Sequence, residues 1–192
     1  MARIHYYLLG AGKQLNEIVV AGSHDAGITS GAANVQTQHL DIYEQARAGV
    51  RVFDIRIKAV GGGQHPLLKT YHGAPKDPSE QSKRGAYGEG LTKILTDARN
   101  FVTKASYQDE FLILKFDKCS NWPEIASACV NLLGAGPNGH IFQLTGNLNT
   151  KTLQQLRGKV VVLFTAEGYQ QVQHQYPPGS GILCVTADRL DF

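Results

Sequence analysis

Phe111-Leu-Ile-Leu-Lys-Phe-Asp117 is a near-continuous apolar run that ends on a polar residue. It follows an amphipathic stretch, Glu89 to Ala105, in which Leu91, Ile94, Leu95, Ala98, Phe101 and Val102 share one side of a helix. A short apolar run without alternation suits a strand buried on both faces, and a helix just before it suits a parallel sheet covered by helices. The same grammar repeats outward from this stretch. Glu17-Ile-Val-Val-Ala21 reads as a first strand, residues 38–48 as a helix stopped by Gly49, and Val50 to Ile57 as a second strand. Trp122 to Leu133 reads as a helix with Asn121 as N-cap and Pro123 in its first turn. Thr150 to Leu156 reads as a short helix, Lys159 to Phe164 as a strand, and Gly181 to Thr186 as a last strand beyond a Gln- and Pro-rich loop. Leu67 to Tyr71 reads as an extended segment returning after Gly61-Gly-Gly63, and residues 74–88 as a long polar surface loop, either a lid or an inert insertion. The expected class is α/β.

Polar residues gather just after these strands: Ser23-His-Asp25, Asp117-Lys118, Thr165 and Asp188. In α/β barrels and open sheets, active sites form at that edge. Two histidines, His24 and His72, flank the run Arg51-Val-Phe-Asp-Ile-Arg-Ile57. Two imidazoles around an arginine suit phosphodiester cleavage without a metal. One takes a proton from the attacking hydroxyl, the other gives one to the leaving oxygen, and the guanidinium holds the phosphoryl oxygens. Each piece also has a plain structural reading. Gly22-Ser-His-Asp-Ala-Gly27 is good turn chemistry. Asp54 and Arg56 alternate with Phe53, Ile55 and Ile57, as the solvent face of a half-buried strand would. The chemical reading rests on the pieces occurring together and in order.

With 192 residues, 42% of them hydrophobic and 18% charged, the chain is expected to fold as one globular domain. A net charge of +3 permits approach to an anionic membrane or a phosphate-bearing substrate without requiring either, and scattered Lys and Arg give no nucleic-acid footprint. Cys119, Cys129 and Cys184 lack the spacing of a zinc site and form no complete disulfide framework; Cys129 and Cys184 read as core residues. No run is long and apolar enough to span a membrane, and the first residues lack the apolar core of a signal peptide. The expectation is therefore a chain that is cytosolic, exported by another route, or secreted with a leader that this sequence does not include. His5, His39, His65, His140 and His174 read as structural or surface residues, and Tyr169, Tyr176 and Pro177-Pro178 as a plain loop or a membrane-facing rim.

Ala21-Gly-Ser-His-Asp-Ala26, Gly49-Val-Arg-Val-Phe-Asp-Ile-Arg56, Tyr71-His-Gly73 and Phe111-Leu-Ile-Leu-Lys115 together resemble the X-region of the phosphatidylinositol-specific phospholipase C family, over roughly residues 15–118. The resemblance implies a distorted TIM-type barrel with its site at the C-terminal rim, and residues 1–192 as a single catalytic domain. Five clear strands plus the His72 segment fall short of a closed eight-stranded barrel, so the expected barrel is incomplete in this chain, without its last strands. By position, His24 would be the general base and His72 the general acid, with Asp25 holding the His72 tautomer. Arg56 would bind the phosphate and Asp54 orient it. Lys115, Asp117 and Asp188 would contact the headgroup. Family chemistry gives a cyclic inositol phosphate and diacylglycerol from a phospholipid at a membrane surface, with the enzyme peripheral to it.

Arg56 and Asp25 stand where calcium-dependent relatives carry an acidic ligand and an asparagine, so the resemblance is to the metal-independent bacterial type, with no cofactor implied. A secreted enzyme or an effector toxin would both fit. Three positions depart from the family pattern. Phe164-Thr165 offers no charge where the family has a basic headgroup contact. Only Leu190 and Phe192 stand near the expected aromatic beyond Asp188, and the carboxylate that supports the general base has no counterpart here. The alternative reading is a catalytically silent barrel that binds lipid or protein. A metal-dependent phosphodiesterase would require a compact acidic cluster, which the sequence does not display.

Overall fold

In the computed structural model, residues 4–61, 66–73, 85–143 and 145–185 are described. Among them, β1 (Ala21–Ser23), β2 (Val50–Ile55), β6 (Leu112–Phe116), β7 (Val160–Phe164) and β8 (Ile182–Cys184) form one sheet in that order. Every pairing in it is parallel. This is α/β architecture of the TIM-type barrel kind, expressed here as an open sheet with β1 and β8 at its edges. A second, antiparallel sheet is built from β3 (Ile57–Val60), β4 (Leu67–Gly73) and β5 (Gly85–Gly90). The His72 segment therefore stands outside the parallel sheet.

Burial on both faces explains the unbroken apolar strands. Phe53, Ile55, Leu112, Leu114, Phe116, Val160, Val162 and Phe164 pack against α1 (Ile42–Ala48), α2 (Leu91–Thr103), α3 (Trp122–Leu133) and α5 (Ala166–Val172). Alternate residues Val52, Ile113, Val161 and Leu163 form a second cluster on the opposite face. Tyr6, Leu15, Phe142 and Leu148 join that cluster, together with Leu153 and Leu156 of α4 (Leu153–Leu156). Asp41 caps α1 by accepting from the Glu44 N–H at 2.9 Å, and Gly49 ends it at φ 117.

Four elements differ from the sequence expectation. Leu15–Glu17 is a 3₁₀ turn, pinned by the Glu17 carboxylate accepting from the Gln14 N–H at 2.6 Å, so the first strand starts only at Ala21. Residues 85–88, expected in a loop, and 89–90, expected to open the helix, form β5. Its glycines hide the strand pattern, and Gly88 is required, because a Cβ there would come within 2.1 Å of the Gly27 carbonyl oxygen. Residues 74–84 of that expected loop lie outside the described residues. α5 replaces part of the expected Gln-rich loop; Thr165 caps it, and Gly168 lets it lie on the Trp122 ring. Asn121 occupies the N-cap of α3 at φ 62 but makes no side-chain capping bond.

Arg51 is the structural arginine of β2. Its side chain is 1% exposed, as is that of Glu110, whose Oε2 accepts from Arg51 Nε at 2.9 Å and Nη2 at 2.8 Å. Arg51 Nη1 donates to the carbonyls of Ala46 and Val50, and the guanidinium stacks between Tyr6 and Phe101. Removing one partner of such a pair strands a buried charge. Arg51→Met should therefore destabilise the fold by roughly 3–5 kcal/mol in urea denaturation. Adding Glu110→Leu should recover part of that loss.

Candidate active site

β1 ends at Ser23, and the chain turns immediately through His24 and Asp25, with Asp25 at φ 47. That conformation suits aspartate better than most residues, because its short polar side chain tolerates the left-handed region. The turn is held through its carbonyls. Gln38 Nε2 donates to His24 O at 2.9 Å, Thr37 Oγ1 to Asp25 O at 2.8 Å, and Gln45 Nε2 to Ala26 O at 2.9 Å. Gln45 is itself buried, and its Oε1 accepts from Ser23 Oγ at 2.6 Å. The Ala26 N–H donates to Asp54 O at 2.9 Å and ties the turn to β2.

Asp54 lies on β2 and Arg56 at the junction of β2 and β3. The Arg56 carbonyl accepts from the Tyr71 N–H at 3.1 Å. On β4, Thr70 is buried and donates to Gly27 O at 3.0 Å, which locks the antiparallel sheet against the His24 turn. His72 follows on β4, opposite Ala86 of β5.

These elements converge on the Asp25 carboxylate, whose side chain is fully buried. Oδ2 meets His72 Nδ1 in a short hydrogen bond and lies 3.5 Å from His24 Nδ1. Oδ1 lies 2.9 Å from Arg56 Nε as an ion pair, although the angle between them makes no directed hydrogen bond. Arg56 Nη2 is 2.9 Å from His24 Nε2 and 3.3 Å from Asp54 Oδ2. A guanidinium can only donate, so His24 Nε2 accepts, and its proton belongs on Nδ1 toward Asp25. The same logic gives the His72 Nδ1 hydrogen to the carboxylate and leaves its Nε2 for other partners. His24 is 67% exposed at its side chain and His72 32%, so both rings remain open to a ligand while the groups that orient them are covered.

The sequence displayed no compact acidic cluster, yet His24, Asp25 and Asp54 offer ligand atoms within 4.8 Å of one another. Parallel pairing of β1 with β2 brings carboxylates that are distant in sequence to one point. Arg56 contacts all three residues, so a cation placed there would meet a fixed positive charge.

A cleft of about 410 Å³ opens beside this cluster, lined by His24, Asp54, Arg56, Lys115, Asp117 and the apolar Val20 and Val52. Lys115 and Asp117 stand at the end of β6 with Nζ 3.9 Å from Oδ2. His72 is not among the residues that line the cleft; it stands across Asp25 from it. Asp188, Leu190 and Phe192 lie outside the described residues, as does His65. Tyr169, on α5, and Tyr176 are half-buried and pack partly against the core. The structural reading of His140 agrees with its ring nitrogen lying 3.3 Å from Gly158 O. Cys184 is half-buried, unlike the fully buried Cys129. Sequence reasoning missed Thr37, Gln38, Gln45 and Thr70. Their only signal was polarity within otherwise unremarkable stretches.

The parallel strands, with a polar cluster at the rim, define an α/β fold of the TIM-type barrel kind. No family model matches the chain. Two curated relatives, the 1-phosphatidylinositol phosphodiesterases of Staphylococcus aureus strains Newman and NCTC 8325 / PS 47, are each 26% identical over 178 residues, 88% of this chain. The match spans 52% and 49% of those proteins, so the chain covers about half the length of the curated relatives it matches. A solved S. aureus phosphatidylinositol-specific phospholipase C, from a study of its membrane binding, superposes with a TM-score of 0.59 at 24% identity, over 82% of this chain and 50% of that one. A mutant of the S. aureus enzyme gives 0.57 at 26% identity, over the same shares of the two chains. PLC21 of S. officinalis shares the fold, at a TM-score of 0.54 and 14% identity over 94% of this chain and 23% of that one. By sequence and fold together, the chain is similar to the phosphatidylinositol-specific phospholipases C of S. aureus over about half their length.

Beneath the site, Cys119 Sγ accepts from the Ile57 N–H at 3.2 Å, and burial pushes its thiol up to about 12; Cys129 is raised further by complete burial. Both should stay unmodified by iodoacetamide at pH 8 in the folded protein and react on unfolding, as read by mass spectrometry.

Proposed function

We propose that this chain is a metal-independent phosphodiesterase of the phospholipase C type, which cleaves phosphatidylinositol or a related phospholipid into a cyclic phosphate and diacylglycerol. The observation that carries this reading is the arrangement of His24, Arg56 and His72 around the buried Asp25. In this reading the phosphate replaces His24 as the partner of Arg56 Nη2. That exchange puts the guanidinium on the phosphoryl oxygens and frees the His24 Nε2 lone pair. His24 then takes the proton of the headgroup 2-hydroxyl as its oxygen attacks phosphorus. Protonated His72 gives a proton from Nε2 to the glycerol oxygen as the phosphorus–oxygen bond breaks. Asp25 keeps the His72 tautomer and balances the charge that moves between the two rings. Asp54 orients Arg56, while Lys115 and Asp117, with Asp188, contact the headgroup.

The 192 residues act in this proposal as one X-region catalytic unit, in an exported bacterial protein working peripherally at a membrane. Among the described residues no helix is long and apolar enough to cross one. Arg56 supports the metal-free reading because it occupies the centre where a cation would have to sit.

The test is release of cyclic inositol phosphate from phosphatidylinositol vesicles in excess EDTA. Turnover should persist, and should fall about 10²–10⁴-fold in His24→Ala and in His72→Ala. It should fall about 10²–10³-fold in Arg56→Ala. Activity that returns only with added calcium would overturn the metal-free mechanism. Binding to the vesicles without turnover by the folded protein would favour the silent lipid-binding barrel.

A further inference from the structure

We propose that the outer face of the β3–β4 hairpin is the surface that docks this protein on an anionic lipid bilayer. In the antiparallel ladder Lys58 stands directly opposite Lys69, and like charges in that position repel. Among the described residues neither lysine is in an ion pair. Lys58 Nζ instead lies 5.6 Å from the centroid of the Tyr71 ring, which is held in place because Tyr71 Oη donates to Lys118 O at 2.6 Å. Leu67, two residues before Lys69 and so on the same face of β4, is 68% exposed.

One face thus combines cations with no ionic partner among the described residues, a fixed aromatic ring and a leucine in water. A nucleic acid or an acidic peptide would neutralise the lysines and leave the leucine wet. An anionic bilayer answers both, with phosphate at the headgroup level for the lysines and a less aqueous layer for Leu67. The alternate residues of β4 face the other way: Thr70 is buried against Gly27, and His72 reaches Asp25. A membrane on this face would therefore lie one strand's thickness from His72. The inference adds a lipid-docking surface to the catalytic reading and does not require that the headgroup be inositol.

Co-sedimentation with phosphatidylcholine vesicles, with and without phosphatidylglycerol, tests it. The protein should bind only the vesicles containing phosphatidylglycerol. Lys58→Gln combined with Lys69→Gln should weaken binding roughly twentyfold, since each basic group near an anionic surface contributes about fivefold. Leu67→Asn should weaken it further, and added salt should weaken the native protein more than the double variant. Unchanged thermal melts would confirm that the variants fold. Failure of the native protein to bind, or equal binding by the variants, would overturn the proposal. So would displacement from the vesicles by an oligonucleotide at equal affinity, which would mark a general polyanion surface. Hydrolysis of a water-soluble cyclic inositol phosphate, measured on the same samples, keeps the two readings apart. It should be equal in the native and variant proteins, and its absence throughout would count against the catalytic reading while leaving the vesicle result intact.

Discussion

A carboxylate that is wholly removed from water must find partners, and the rim of this sheet is organised around that requirement. Asp25 is buried at the end of β1, with Arg56 and His72 in contact and His24 a little further away. Its partners come from three different stretches of chain, and each is oriented by the same two oxygens. A buried acid without them would carry a large desolvation cost. The constraint therefore runs both ways. The site orients the acid, and the acid aligns the site, including which nitrogen of each imidazole bears the proton.

The two arginines of the Arg51–Ile57 run show how position along a strand separates structure from chemistry. Arg51, at the start of β2, points toward the helices and is enclosed by Glu110, three carbonyls and two aromatic rings. Arg56, just past the end of the same strand, borders the cleft, and its Nη2 is matched with the exposed His24 ring. The first arginine has its bonding capacity filled by the protein. The second retains capacity that a phosphate group could use. Beneath both, the division of each strand into a helix-facing and a cleft-facing set keeps the apolar core continuous while polar residues collect at one end.

The antiparallel sheet is the element that converts an open α/β sheet into a two-histidine site. It leaves the rim at Arg56, returns along β4 and packs against the Gly27 turn through Thr70 and the space left by Gly88. That close approach sets the distance between the strand that carries His72 and the turn that carries Asp25. A side chain at Gly88 would push the two apart, so a residue with no functional group contributes to the geometry as much as those that have one.

Local physics made the parallel strands, the helices α2 and α3, and the order His24, Arg56, His72 legible in the sequence. Apolar runs buried on two faces and amphipathic helices leave periodic traces that need no knowledge of the fold. β5 and α5 left no such trace, because glycines and glutamines there serve close packing and exposed turns. The clamp of Gln38, Gln45 and Thr37 on the His24 turn was invisible for a similar reason: one buried glutamine looks like any other until its partners are known. The sequence by itself determined which residues could form the core and which polar residues would end the strands at the rim. Only the tertiary structure decided that Asp25 would meet Arg56 and His72, and that Arg51 would be sealed while Arg56 stayed open. Those outcomes depend on strand register and on contacts between distant segments, which no local pattern of residues encodes.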